Sequence, residues 1–217
     1  MSESIAEKLN LKAKSNRRAN PELCFELASK ALDSAISEGF IYEKGKAFHN
    51  ISESFLWSSK LDEAFDYAFQ AKSIFSELNA FSDLAEVYYT VGTIFFYLSD
   101  YDNALDEYMK SFKSYELDNN EVGVAEAYNG IGSAYYAINE NEKSIQYLKI
   151  SLNKCESLNI LHLKQKVLDG LGRAYTNLGK YDKALKHLEN CIAAIEEIDG
   201  SKHVKAHALN NIGQVYF

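Results

Sequence analysis

The sequence predicts an all-α protein of about eleven helices arranged in repeating pairs. Three observations predict it. Only one proline stands among 217 residues, so little interrupts helices. No sustained alternation of β-branched residues marks a strand. Small residues recur at a fixed spacing: Ser52, Gly92, Gly132 and Gly172 stand 40 residues apart, and Gly213 follows Gly172 by 41. A hydrophobic content of 47% suffices for a core and excludes a disordered chain.

The first helix of each pair is read from the neighbours of these small residues. An apolar residue precedes each: Ile51, Val91, Ile131, Leu171 and Ile212. An aromatic follows three positions later: Phe55, Phe95, Tyr135, Tyr175 and Tyr216. Four positions before stands Phe48, Tyr88, Tyr128, Leu168 or Leu209. Offsets of three and four mark one helix face, and a small residue on it lets a second helix approach closely.

That second helix follows at once. Ala64, Ala104, Ser144 and Ala184 come 12 residues after the small residue, and Asp62, Asp102, Glu142 and Asp182 complement the positive helix end in its first turn. It ends at Gly39, Asn79, Asn119 and Asn159, with Gly200 one step late. Gly and Asn tolerate the left-handed conformation that terminates helices. At the front, Asn20, Pro21 and Glu22 read as N-cap, N1 and N2 of a second helix. The count is five pairs and one further helix near 202–217. The stretch "DGLGRAYTNLGKYDKAL", residues 169–185, is glycine-rich but is no phosphate loop. It lacks a preceding strand and the Lys-Ser/Thr of a P-loop, so its glycines are read as packing residues.

The pattern Tyr88-x2-Val91-Gly92-x2-Phe95…Ala104-x3-Tyr108 resembles the tetratricopeptide repeat, as does Leu168-x2-Leu171-Gly172-x2-Tyr175…Ala184-x3-Leu188. Tyr128-x2-Ile131-Gly132-x2-Tyr135…Ser144-x3-Leu148 matches with one swap. The family's usual period is about 34, and its usual proline near the repeat end is missing here. Long-period versions resemble kinesin light chains, spindle-orientation adaptors and bacterial signalling proteins. The resemblance implies a right-handed α-solenoid of antiparallel helix pairs, with a concave groove lined by first helices. Residues 1–217 are expected to form one solenoid: a degenerate capping repeat at 5–44, repeats at 45–84, 85–124, 125–164 and 165–204, and the first helix of a further repeat at 205–217. The face of Leu209, Ile212 and Tyr216 is expected to be partly uncovered, and the native chain to continue past 217.

Composition narrows the function. A net charge of −8 argues against a nucleic-acid partner. The one basic stretch, Lys8, Lys12, Lys14, Arg17 and Arg18, is read as a solvated helix face. No apolar run reaches membrane-span length, and no signal peptide opens the chain. Cys24, Cys155 and Cys191 are read as small core residues of a cytoplasmic protein. His203 and His207 have metal-ligand spacing but no third ligand, so no metal or other cofactor is expected. No catalytic constellation is found, and the region is not read as an enzyme.

A groove binding a peptide or partner protein is the favoured site. The resemblance maps it onto Lys46, His49, Glu53 and Leu56, then Glu86, Tyr89, Thr93 and Phe96. Next come Glu126, Asn129, Ser133 and Tyr136, then Lys166, Asp169, Arg173 and Thr176, and finally His207, Asn210 and Gln214. Asn129 and Asn210 stand where long-period relatives hold a peptide backbone. Two readings follow: a non-catalytic interaction scaffold, or the N-terminal regulatory arm of a bacterial signalling protein with a downstream diguanylate cyclase, nucleotide cyclase or histidine kinase domain. Homodimerisation through the last helix is a further expectation.

Overall fold

A computed structural model describes residues 4–197 and 202–216. Among these there are eleven α-helices and no strand: α1 (Ile5–Asn16), α2 (Pro21–Glu38), α3 (Ile41–Trp57), α4 (Leu61–Glu77), α5 (Phe81–Tyr97), α6 (Tyr101–Leu117), α7 (Glu121–Ala137), α8 (Asn141–Ser157), α9 (Leu161–Asn177), α10 (Tyr181–Glu197) and α11 (Lys202–Val215). The chain is an all-α helical-repeat solenoid. It comprises two compact units, Met1–Asp100 and Tyr101–Phe217.

Eight turns share one geometry. Gly39, Ser59, Asn79, Ser99, Asn119, Asn139, Asn159 and Gly179 all have positive φ, between 53° and 75°. In each turn the next N–H reaches back five residues, as Phe40 does to the Ala35 carbonyl at 2.9 Å and Lys180 to that of Tyr175 at 3.0 Å. This is the Schellman closure, which satisfies helix-end carbonyls that would otherwise lack donors. The true punctuation is therefore 20 residues. The sequence reading marked only the ends of the second helices, because those of the first are mixed: Asn139 and Gly179 suit a left-handed residue, but Ser59 and Ser99 are weak markers of one. Gly200 lies outside the described residues. At the front of α2, the Asn20 side chain accepts from the Leu23 N–H at 3.0 Å with Pro21 at N1, as the sequence implied.

The recurring glycines are packing notches. A Cβ added to Gly132 would lie 2.7 Å from Leu148 Cγ, and one added to Gly172 would lie 2.5 Å from Leu188 Cγ. Both leucines are fully buried in α8 and α10. Gly170 also serves packing, since its Cβ would lie 3.1 Å from Leu148 Cδ1. Ser52 takes the glycine position in α3 and donates from Oγ to the Ala64 carbonyl of α4 at 2.7 Å, so the close approach is kept with a hydrogen bond added. Gly213 meets nothing within 4 Å. Leu209 and Tyr216 beside it are exposed, while Ala208 and Val215 are buried.

Within each unit, adjacent first helices touch: α1 with α3, α3 with α5, α7 with α9, and α9 with α11. The second helices α2 and α4, and likewise α8 and α10, make no such backbone approach. First helices thus form a close inner layer, and their partners a splayed outer one. The three cysteines are buried as expected. Burial pushes the thiols of Cys24 and Cys155 up to about 11 and that of Cys191 to about 12. None is a poised nucleophile. Among the described residues no helix is long and apolar enough to cross a membrane.

Candidate functional site

In the first unit, the inner layer is tied by one continuous polar seam. Its origin lies two positions before each packing residue, where the sequence has Asn10, Asn50 and Thr90 in the first unit but Gly130 and Gly170 in the second. These three polar residues face between adjacent first helices. Asn10 Nδ2 donates to the Glu43 carbonyl at 2.9 Å and to Glu43 Oε2 at 2.8 Å. Asn50 Nδ2 donates to Asn10 at 3.2 Å and, through Oδ1, accepts from Arg17 Nε at 3.0 Å.

Arg17 is the junction of the seam. Its Nη1 lies 3.4 Å from Glu86 Oε2, and its Nη2 lies 3.4 Å from His49 Nδ1. Lys14 Nζ pairs with Glu86 Oε1 at 2.6 Å. His49 Nε2 is 2.9 Å from Thr90 Oγ1, which lies 2.6 Å from Glu53 Oε1. The carboxylate only accepts, so Thr90 donates to it, His49 donates to Thr90 from Nε2, and His49 Nδ1 is left to accept from Arg17. Trp57 Nε1 completes the shell of Glu53 at 3.3 Å.

The seam fixes the charge states. Burial first, and then the Arg17 guanidinium, pull His49 down from 6.5 to about 4, so it is neutral at pH 7. Burial alone would raise Glu86, but Arg17, His49 and Lys14 outweigh it and bring the carboxyl to about 2. Burial opposes ionisation of Glu53 too, and Arg17, His49 and the hydrogen bonds from Thr90 and Trp57 overcome it, leaving its pKa lowered. Because the folded pKa of His49 lies below its unfolded value, the unfolded chain takes up the proton first. Stability present above pH 6.5 is lost as pH falls towards 4, by about 3 kcal/mol in all. Glu86 adds a further loss between pH 4.5 and 2. Urea midpoints are expected to fall steeply from pH 6.5 to 4, and the fall should shrink in His49→Gln. An unchanged profile in that variant would remove His49 as the cause.

Several residues mapped to the groove therefore have internal partners. His49 is 3% exposed, and Glu53 and Glu86 are held as described. Lys46 sits 4.5 Å over the Tyr42 ring and 3.5 Å from Glu43 Oε1. Leu56 is corrected outright: it is 3% exposed and packs in the core with Ala64 and Ile94, because its helix turns that position towards α4 and α5. Arg17 is not a member of a solvated face, since its side chain is 15% exposed and reaches Glu86, while Lys14 stays exposed and still pairs with Glu86, about 70 residues away in sequence. Tyr89, Thr93 and Phe96 are half-buried, and Thr93 Oγ1 donates to the Tyr89 carbonyl at 2.9 Å.

In the second unit, Arg173 lies 4.3 Å over the Tyr136 ring, a cation–π pair between α9 and α7. Ser133 Oγ donates to the Asn129 carbonyl, and Thr176 Oγ1 to that of Gly172. Asn129 is buried, Glu126 half-buried and Lys166 exposed. Asn210 and Gln214 are exposed. The next residue, Asn211, is the buried one: its Nδ2 donates to Asp169 Oδ1 at 2.7 Å, with His207 Nδ1 3.6 Å from the same oxygen. The 41-residue step to Gly213 signals this, because counting from Gly213 aligns Asn211 with Asn10 and Asn50. Among the described residues no cluster of three or more His, Cys, Asp or Glu has metal-binding geometry, and the side chain of His203 lies outside them.

Comparison with known proteins follows the same lines. The family model for the tetratricopeptide repeat matches residues 83–157 and 165–217. A comparison with curated proteins finds no match. Among solved structures, the chain is similar to a Rap protein complexed with Competence and Sporulation Factor, with TM-score 0.81 and 15% identity over 97% of this chain and 64% of that one. It is also similar to aspartyl phosphate phosphatase F from Bacillus subtilis, with TM-score 0.76 and 22% identity over 89% of this chain and 51% of that one. A third is a signal transduction ATPase (STAND) protein with a tetratricopeptide repeat sensor from Pyrococcus horikoshii, with TM-score 0.68 and 13% identity over 97% of this chain and 36% of that one. The chain thus spans 64% and 51% of the length of the first two. Two matched segments covering more than half of the sequence, on a helical scaffold whose glycine notches the family pattern explains, place this chain in the tetratricopeptide repeat family.

Proposed function

We propose that this chain is a non-catalytic, cytoplasmic interaction module that holds a peptide or partner segment against the inner layer of its first helices. The observation that carries the reading is the second unit's inner face. There Tyr136, Arg173, Lys166 and Asn210 offer an aromatic plane, cations and an amide from three adjacent first helices. Aromatic and arginine anchors carry much of the energy of such contacts. The similar Rap protein is complexed with Competence and Sporulation Factor, which supports a peptide or protein ligand here. The repeat sensor in the STAND protein favours a second reading, a sensory arm that reports to another domain.

The test is affinity capture of a discrete partner, followed by titration with variants. Tyr136→Ala with Arg173→Ala is expected to weaken binding by about 2 kcal/mol or more, roughly 30-fold. Unchanged affinity would move the site off this face.

A further inference from the structure

We propose that the outer layer of the second unit carries a binding site for a small amphipathic amine, in a cavity between α8 and α10 over α9. The cavity measures about 390 Å³, and small-molecule sites span about 300–1,000 Å³. Its walls are second helices, whereas the groove runs along first helices, so it does not rest on the reading above.

Smaller side chains open the cavity. Helix α10 begins at Tyr181, 120 residues after α4 begins at Leu61, and the two have equal length, so positions at this offset are equivalent. In the first unit Phe48, Tyr67 and Ile74 hold the place: the Tyr67 ring lies 6.1 Å from that of Phe48, and Tyr67 and Ile74 both pack against the core. The second unit has Leu168, His187 and Ala194 instead. Leu168 and Ala194 are buried in one core cluster with Leu152 packed against it, and the three make an apolar floor. His187 forms a wall. Its ring stacks on Tyr175 with centroids 5.4 Å apart. Burial first, and then Lys149 and Lys186, hold its pKa below the usual value, so it is neutral at pH 7. Its buried Nδ1 has no hydrogen-bond partner among the described residues, so the wall keeps a polar group that its neighbours leave unsatisfied. Charge is confined to the rim. Two carboxylates there, Glu156 and Glu197, face one cation, Lys164, which stands 4.0 Å from Glu156 Oε1. Glu156 is the penultimate residue of α8 and Glu197 the last of α10. Both therefore add to the negative end of a helix dipole, where a cation is favoured. A ligand with an apolar body and an ammonium group matches floor and rim together.

The probe is phenethylammonium, followed by NMR on the backbone amides of α8 and α10. Its shifts are expected to saturate with a midpoint of roughly millimolar. Hydrocinnamate, a carboxylate of similar size and body, should bind at least about tenfold more weakly. Ala194→Ile installs the residue that the first unit has at this register and should abolish saturation, with a denaturation curve showing that the variant is folded. Should it fail to fold, Glu156→Gln with Glu197→Gln serves, because both side chains are exposed, and the preference for the amine should disappear. No saturable shift, equal affinity for the two probes, unchanged binding in Ala194→Ile or an unchanged preference in the double glutamine variant would overturn the proposal. Tyr136→Ala with Arg173→Ala should leave the amine titration as it was. A loss there would put the binding on the inner face and overturn it too.

Discussion

Arg17→Met is expected to destabilise the protein by about 3 kcal/mol, measured by chemical denaturation at pH 7. Methionine keeps the aliphatic stem, so the loss reports the guanidinium. Without it, Glu86 keeps only Lys14 among its cationic partners, and Glu53 loses its strongest compensating charge. Asn50 Oδ1 and His49 Nδ1 lose their donors in a buried setting. Breaking one partner of a buried ionic network costs far more than breaking a surface pair. Lys30→Met is the control, because its pair with Glu26 is about 60% exposed on both sides and its loss should leave the denaturation midpoint nearly unchanged. Equal effects in the two variants would mean that the seam does not hold the first unit together.

The second large effect lies in the glycine notch of the second unit. Leu188→Ala is expected to cost about 3–4 kcal/mol, since the side chain is fully buried. Gly172→Ala should cost about 2 kcal/mol, although alanine ordinarily favours a helix over glycine by about 1 kcal/mol. The added methyl would meet Leu188 Cγ at 2.5 Å, and Cγ lies too near its backbone to yield. The double variant should be less destabilised than the sum by at least about 1 kcal/mol, because the alanine at 188 vacates the space that the new methyl needs. Strict additivity would show that the notch accommodates both changes independently.

The fold was legible because its information is local and repeated. Gly132 and Gly172 announced the close approach of two helices, and the residues at offsets of three and four announced the face. The site was less legible, for a physical reason. Groove positions were carried over by register, which tells where a side chain stands but not whether it already has a partner. His49, Glu53 and Glu86 were located by register, yet their partners Arg17 and Lys14 come from α1, whose first-helix signature is lost. A charged helix face looks the same in sequence whether it meets water or a carboxylate. Asn10, Asn50 and Thr90 gave the one available clue, a polar residue recurring where α7 and α9 have Gly130 and Gly170.

Leu148 has a consequence for how the second unit comes apart. It is 1% exposed and occupies two notches at once, that of Gly132 in its own pair and that of Gly170 in the next. In a linear array, melting spreads or stops according to how strongly neighbours are coupled. A side chain shared by two repeats places that coupling in one residue. Trimming Leu148 would weaken each pair and also the bond between them, so α7–α9 are expected to unfold less cooperatively in such a variant than in the unaltered protein. The repeat pattern has set a rivet where a mere filler would have satisfied the core.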